Sequence, residues 1–110
     1  MNTNLQDKSF LFARKIVRFC IDVLKKNGHF ELGSQLLRSG TSVGANISEA
    51  QRAESTKDYK HKLLVALKEA EETRYWLDLI DVEIVKVDDE LKYLNDELIK
   101  IIVAIAKKIN

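Results

Sequence analysis

Two histidines, one cysteine and a serine-rich stretch are the residues of this chain that could do covalent or metal chemistry. Di-metal bundles place a Glu-x-x-His pair on each of two helices and a further glutamate on each of the other two. Here Asp58-x-x-His61 occurs once and His29 sits in a turn, so both histidines read as structural. No Cys-x-x-Cys or His-Glu-x-x-His pattern is present, and neither a metal nor a cofactor is expected. Cys20 falls on an apolar helix side, where a free cysteine behaves as a small hydrophobe. Ser39, Thr41, Ser42 and Ser48 have no histidine at helical spacing to act as base. Ser39-Gly40-Thr41-Ser42-Val43-Gly44 is glycine-rich, but no lysine follows it and no strand precedes it, unlike a phosphate loop. Glu69, Glu71 and Glu72 have Lys68 and Arg74 beside them and read as a solvated helix face. No catalytic residue is assigned, and the chain reads as a non-enzyme.

Two sets of polar residues remain. Lys8, Arg14, Lys15, Arg18, Lys25 and Lys26 stand against only Asp7 and Asp22 in residues 1–30. A helix carrying such a set can follow phosphates without reading bases, so these six are the candidate nucleic-acid contacts. The second set is a row at helical spacing, Gln35, Ser39, Ser42, Asn46 and Glu49, flanked by Arg38 and Arg52. Packed against another helix, its hydroxyls and amide must find hydrogen-bond partners, because an unpaired buried polar group costs about 1–3 kcal/mol. Arg38 and Arg52, at helical spacing about Glu49, are candidate partners within the row. A structural network is the preferred reading, and a small-ligand site is the alternative.

The elements that must position these residues follow from periodicity. The 110 residues suit one domain, with 32% charged, 7% aromatic and no proline, a composition that leans to helix. Four amphipathic segments are predicted, over about 5–27, 31–52, 56–85 and 88–109. The first carries Phe12, Ile16, Phe19 and Val23, with a second row of Phe10, Val17, Ile21 and Leu24, and stops at Asn27-Gly28. The second has Leu32, Leu36, Val43, Ile47 and Ala50 along one face, and heptad spacing runs unshifted through Gly40 and Gly44. The third keeps a four-three alternation from Tyr59 through Leu63, Ala66, Ala70, Thr73, Leu77 and Ile80 to Ile84. Its small central residues allow close approach of the small-residue row of segment two. The fourth opens on Asp88-Asp89-Glu90 and carries Val87, Leu91, Leu94, Leu98, Ile101 and Ile105. Four such helices with short connections make an all-α, up-and-down antiparallel four-helix bundle.

The apolar rows outnumber the seams of one small bundle, and self-association would cover the surplus. The first residues lack a secretory pattern, and the longest nearly apolar run, Leu98 to Ala106, is far short of the ~20 residues a spanning helix needs. A cytoplasmic protein without a membrane partner is expected. The formal charge of +1 conceals a polarised chain. Residues 1–30 have six basic and two acidic side chains, and residues 31–85 have seven and ten.

Residues 36–50, Leu-Leu-Arg-Ser-Gly-Thr-Ser-Val-Gly-Ala-Asn-Ile-Ser-Glu-Ala, followed by Tyr59 and then by Ala66-Leu67-Lys68-Glu69-Ala70-Glu71-Glu72-Thr73-Arg74-Tyr75-Trp76-Leu77, carry a resemblance. The chain resembles the bacterial four-helix bundle family, also called 23S ribosomal RNA intervening-sequence proteins, over essentially its whole length. It departs from many relatives at Ser48, where they have alanine, and at Ala50, where they have glycine. The resemblance implies an up-and-down bundle assembling into a ring-shaped homopentamer. It also implies kinship with the pentameric accessory proteins of diversity-generating retroelements, which contact nucleic acid and a reverse transcriptase. RNA binding is suggested for the family, and no enzymatic activity is implied. The signature residues Arg38, Ser39, Ser42, Asn46 and Glu49 belong to the polar row already derived from spacing. Expected partners are therefore other copies of the chain, RNA or another nucleic acid, and a protein partner if the chain is an adaptor.

Overall fold

Each helix begins and ends where local chemistry allows. The computed structural model describes residues 3–109, folded as α1 (Thr3–Phe19), α2 (Phe30–Ala50), α3 (Thr56–Glu83) and α4 (Asp89–Lys107). The chain leaves α1 through a π-helical stretch, Cys20–Lys25, which the periodicity did not reveal. Gly28 then turns the chain at φ +87°, in the left-handed region that costs glycine no side-chain clash. The His29 amide donates back to the Leu24 carbonyl at 2.8 Å. Ser55 caps α3 by accepting from the Asp58 amide at 3.0 Å, and Asp58 accepts from the Glu54 amide. Asp88 caps α4 by accepting from the Glu90 amide at 3.0 Å. The last predicted turns of the second and third segments lie outside their helices, in the two connections.

The four helices form a square. α1 packs on α2, α2 on α3, α3 on α4 and α4 on α1, whereas the backbones of the diagonal pairs stay apart. Consecutive helices joined by short turns run antiparallel, in an envelope of 44 × 19 × 19 Å. α3, with 28 residues, spans nearly all of the long axis at about 1.5 Å per residue. Its predicted seam is the buried face: Leu63, Ala66, Ala70, Thr73, Leu77 and Ile80 are enclosed and Tyr59 and Ile84 are half-buried.

α2 stays helical through its glycines, and Gly40 has a packing reason. A Cβ there would stand 2.9 Å from Ile16 Cγ2, so only glycine lets α1 and α2 cross at this distance. α1 buries Leu5, Phe12, Ile16, Cys20 and Leu24, whereas Phe19 and Val23 of the expected seam are half-buried. From Phe12 onward this row advances by fours. In a straight α-helix four residues overshoot one turn by about 40°. The looser i→i+5 turns of the π segment rotate Cys20 and Leu24 back toward the core. The seam of α4 is also rotated from the predicted one. Leu91, Asn95, Leu98, Ile102 and Ala106 face inward, and Leu94, Ile101 and Ile105 lie at its flank.

Candidate functional site

The signature row lies along the α2–α3 interface, where Arg38, Ser39 and Glu49 find partners on α3 and Ser42 and Asn46 bond carbonyls of their own helix. The Arg38 guanidinium reaches Glu69 at 3.2 Å and also pairs with Glu72, whose second donor is the Trp76 indole N–H at 3.1 Å. One helical turn separates the two carboxylates, so a single forked cation spans both. Ser39 is fully buried, and its hydroxyl accepts from Thr73 at 3.0 Å. Thr73 Oγ1 also lies 2.8 Å from the Glu69 carbonyl, which joins both pairs into one cluster. Ser42 donates to the Arg38 carbonyl at 2.6 Å, and Asn46 to the Ser42 carbonyl at 2.8 Å. Glu49 pairs with Lys62 at 2.9 Å, which pushes the Lys62 ammonium above its usual range.

These positions correct two expectations. The row's hydroxyls and the Asn46 amide bond backbone carbonyls and Thr73 rather than the side chains of Arg38 and Arg52, and Glu49 pairs with Lys62 of α3. Arg38 points across the interface, and Arg52 is exposed beyond the end of α2 with no ion pair among the described residues. Glu69 and Glu72, read from sequence as a solvated face, are drawn onto Arg38, while Glu71 stays exposed. The row thus clamps two helices together. Three surface grooves open elsewhere. One of about 490 Å³ is lined by Phe10, Ala13, Thr41, Gly44, Ala45 and Ser48. A second of about 390 Å³ lies between Leu11, Arg14, Arg18 and Leu91. The third, about 590 Å³, includes Phe30, Leu32, Gln35 and Trp76. Of the row, only Gln35 lines one of these grooves, the third; Arg38, Ser39, Ser42, Asn46, Glu49 and Arg52 line none of them.

The basic set of α1 divides in two. Lys8 is held by Glu97 at 3.2 Å and Lys15 by Glu90 at 2.8 Å, both from α4, so these cations fasten α1 to α4. Arg18 is 3.9 Å from Asp22, one turn away. Arg14, Lys25 and Lys26 make no ion pair among the described residues. Sequence reasoning counted six cations on one surface, but the acids that neutralise two of them lie some eighty residues away in the chain.

Elsewhere, chemistry-bearing groups are tied into the fold. Cys20 is buried, and desolvation pushes its thiol up to about 11 despite the nearby Lys25 ammonium. His61 is exposed and His29 is half-buried at the start of α2. Among the described residues no group of three His, Cys, Asp or Glu side chains is placed to hold a metal ion. The turn between α3 and α4 is set by Asp81, which accepts from the Val87 amide at 2.6 Å and pairs with Lys92 at 3.1 Å. These contacts hold the Asp81 carboxyl below its usual range. Asn95, buried in α4, donates to the Ala70 carbonyl of α3 at 2.9 Å. Spacing alone gave no signal for it, since a row through Leu91 and Leu98 can pass through either Leu94 or Asn95.

A bundle whose signature row locks α2 to α3 sets the frame for comparison. The family model described as "23S rRNA-intervening sequence protein" matches residues 1–107. The chain belongs to this family. A crystal structure of a protein of unknown function from the S23 ribosomal protein family of Bacteroides thetaiotaomicron is similar, at 38% identity and a TM-score of 0.88. The alignment covers 94% of this chain and 98% of that one. Curated proteins provide no match. In this chain of the intervening-sequence family, the polar row of α2 coincides with the α2–α3 clamp. No described helix is long and apolar enough to cross a membrane.

Proposed function

We propose that the protein is a non-enzymatic homo-oligomeric scaffold of the cytoplasm, built of five copies in a ring as the family resemblance implies. The observation that carries this reading is the apolar surface left outside the closed core. Phe10 is 68% exposed, Tyr75 60% and Val82 78%, with Leu11, Ile21 and Leu64 also exposed. They stand on α1, the π-helical stretch that follows it and α3, whose inward faces are already fully used, so rotating a helix to hide them would unpack the core. A second copy hides them at no such cost. Light scattering behind a sizing column tests the proposal. A mass of about five times the 12.6 kDa chain is expected, and a monomer at tens of micromolar would remove it.

A second activity, weak RNA binding, is supported by the unneutralised cations. Once Lys8 and Lys15 are paired with α4, Lys25 and Lys26 remain without an ion pair among the described residues, and the family's description names an rRNA insertion. Ring assembly would repeat each such patch around the axis and strengthen its field. Fluorescence anisotropy with a structured RNA at low salt should show affinity that falls steeply as salt rises. Lys25→Glu with Lys26→Glu should weaken it further. Absence of binding at low salt leaves the alternative, a protein–protein adaptor whose ring presents a surface to another protein.

A further inference from the structure

The geometry points to a specific contact between copies, in which the solvent face of α1 of one protomer packs on the solvent face of α3 of the next. This inference rests on the oligomeric reading above and assigns the surfaces it would use. Asp7, Leu11, Arg14 and Arg18 are all exposed and follow one another by four, three and four residues along α1, and exposed Ile21 lies just beyond it in the π-helical stretch. Leu64, Lys68, Glu71, Tyr75, Asp78 and Val82 do the same along α3, by four, three, four, three and four. A three-four alternation keeps residues in one stripe on a helix, the pattern of a helix–helix seam. Both helices therefore carry a second seam, facing outward, besides the one in the core.

The two stripes match in charge order. α1 presents an acid, Asp7, and then the bases Arg14 and Arg18. α3 presents a base, Lys68, and then the acids Glu71 and Asp78. Asp7, Arg14, Lys68 and Glu71 make no ion pair among the described residues. Arg18 and Asp78 have only distant partners, Asp22 at 3.9 Å and Lys92 at 3.5 Å. Leu11, Ile21, Tyr75 and Val82 supply apolar surface between the charges, and the groove beside Arg14 and Arg18, about 390 Å³, is large enough to receive the Tyr75 ring.

The stripes also match in level and direction. Gly40 adjoins Ile16 on one side of α2, and Ser39 contacts Thr73 on the other, so residues 14–18 of α1 lie level with residues 71–75 of α3. α1 and α3 run in the same direction, both being antiparallel to α2. Copies related by rotation about an axis along the bundle would thus set Arg14 opposite Glu71 and Arg18 opposite Tyr75 without sliding. Within one chain the contact cannot form, because α1 and α3 occupy diagonal corners. A contact between two different faces is head-to-tail, and it closes into a ring when its rotation divides the circle.

Charge reversal tests this contact. Arg14→Glu and Glu71→Arg, made singly, should each weaken self-association at least tenfold by light scattering across a dilution series. The double variant carrying both should recover to within about threefold of the native chain. Circular dichroism confirms that each variant is folded, and Arg14→Ala with Glu71→Ala repeats the comparison without new repulsion. Native-like assembly in both single variants, with or without altered RNA affinity, would overturn the contact while leaving the scaffold reading intact. A monomeric native protein would overturn both.

Discussion

At the scale of single residues, three positions set the sign of an expected effect. Gly40→Ala replaces a poor helix former with the best one, worth about 1 kcal/mol in an open helix. Here the added methyl meets Ile16 at 2.9 Å, so crowding of about 1–3 kcal/mol should prevail and urea should unfold the variant earlier. An unchanged or raised midpoint would mean that α1 can step back freely. Thr73→Val removes the donor to Ser39 Oγ and leaves that buried hydroxyl with a long 3.5 Å contact to the Leu36 carbonyl. The expected loss is about 1–2 kcal/mol, and Ser39→Ala added to it should cost less than the two singles summed. Cys20 supplies a pH signature. Its thiol ionises near 9.0 ordinarily and at about 11 in the fold, so the native state keeps the proton that the unfolded chain releases. That contribution is fully present below pH 9 and is lost as the pH rises toward 11. Against a Cys20→Ala reference, the native protein should therefore lose extra stability over that window, and thiol reagents should label it slowly until it is unfolded.

The helices and their connections are where sequence and structure can be compared most usefully. The α3–α4 turn depends on Asp81, whose carboxylate holds the Val87 amide and Lys92. Its ionisation is favoured by folding, so this contribution is present above the unfolded carboxylate range, near pH 4, and is lost as pH falls through the lower native value. Asp81→Ala should lower the melting temperature at pH 7 and flatten the acid limb of the stability curve. An acid limb unchanged by the substitution would refute this account of the turn. The core face of α3 was legible from end to end because its alternation is unbroken and its register never shifts. The face of α4 was not, since a hydrophobic count passes over Asn95 and thereby rotates the seam. The π segment was equally hidden. Apolar residues at Phe12, Ile16, Cys20 and Leu24 are compatible with a regular helix until the facing surface is known. The polar row was readable as a row, but its partners were not. Local spacing offers Arg38 and Arg52 to the row's own hydroxyls and amide, whereas the fold gives Arg38 two carboxylates on α3 and gives Glu49 to Lys62.

For the molecule as a whole, the distribution of charge and apolar area says more than either total. The excess of bases in residues 1–30 is partly spent in holding α1 to α4, and the remainder lies in the outward stripe of α1 and at its end. The outward stripe of α3 carries the opposite order of charge at the same level. Exposed Tyr75 and Val82 extend that stripe with apolar surface that the monomer leaves uncovered. The proposed ring would bring the outward stripes of α1 and α3 together in one repeated contact. The mass of the native protein in solution therefore decides between a ring and a single bundle. Light scattering behind a sizing column at tens of micromolar should return a fixed multiple of 12.6 kDa, expected near five. A sharp peak at the mass of one chain would contradict it.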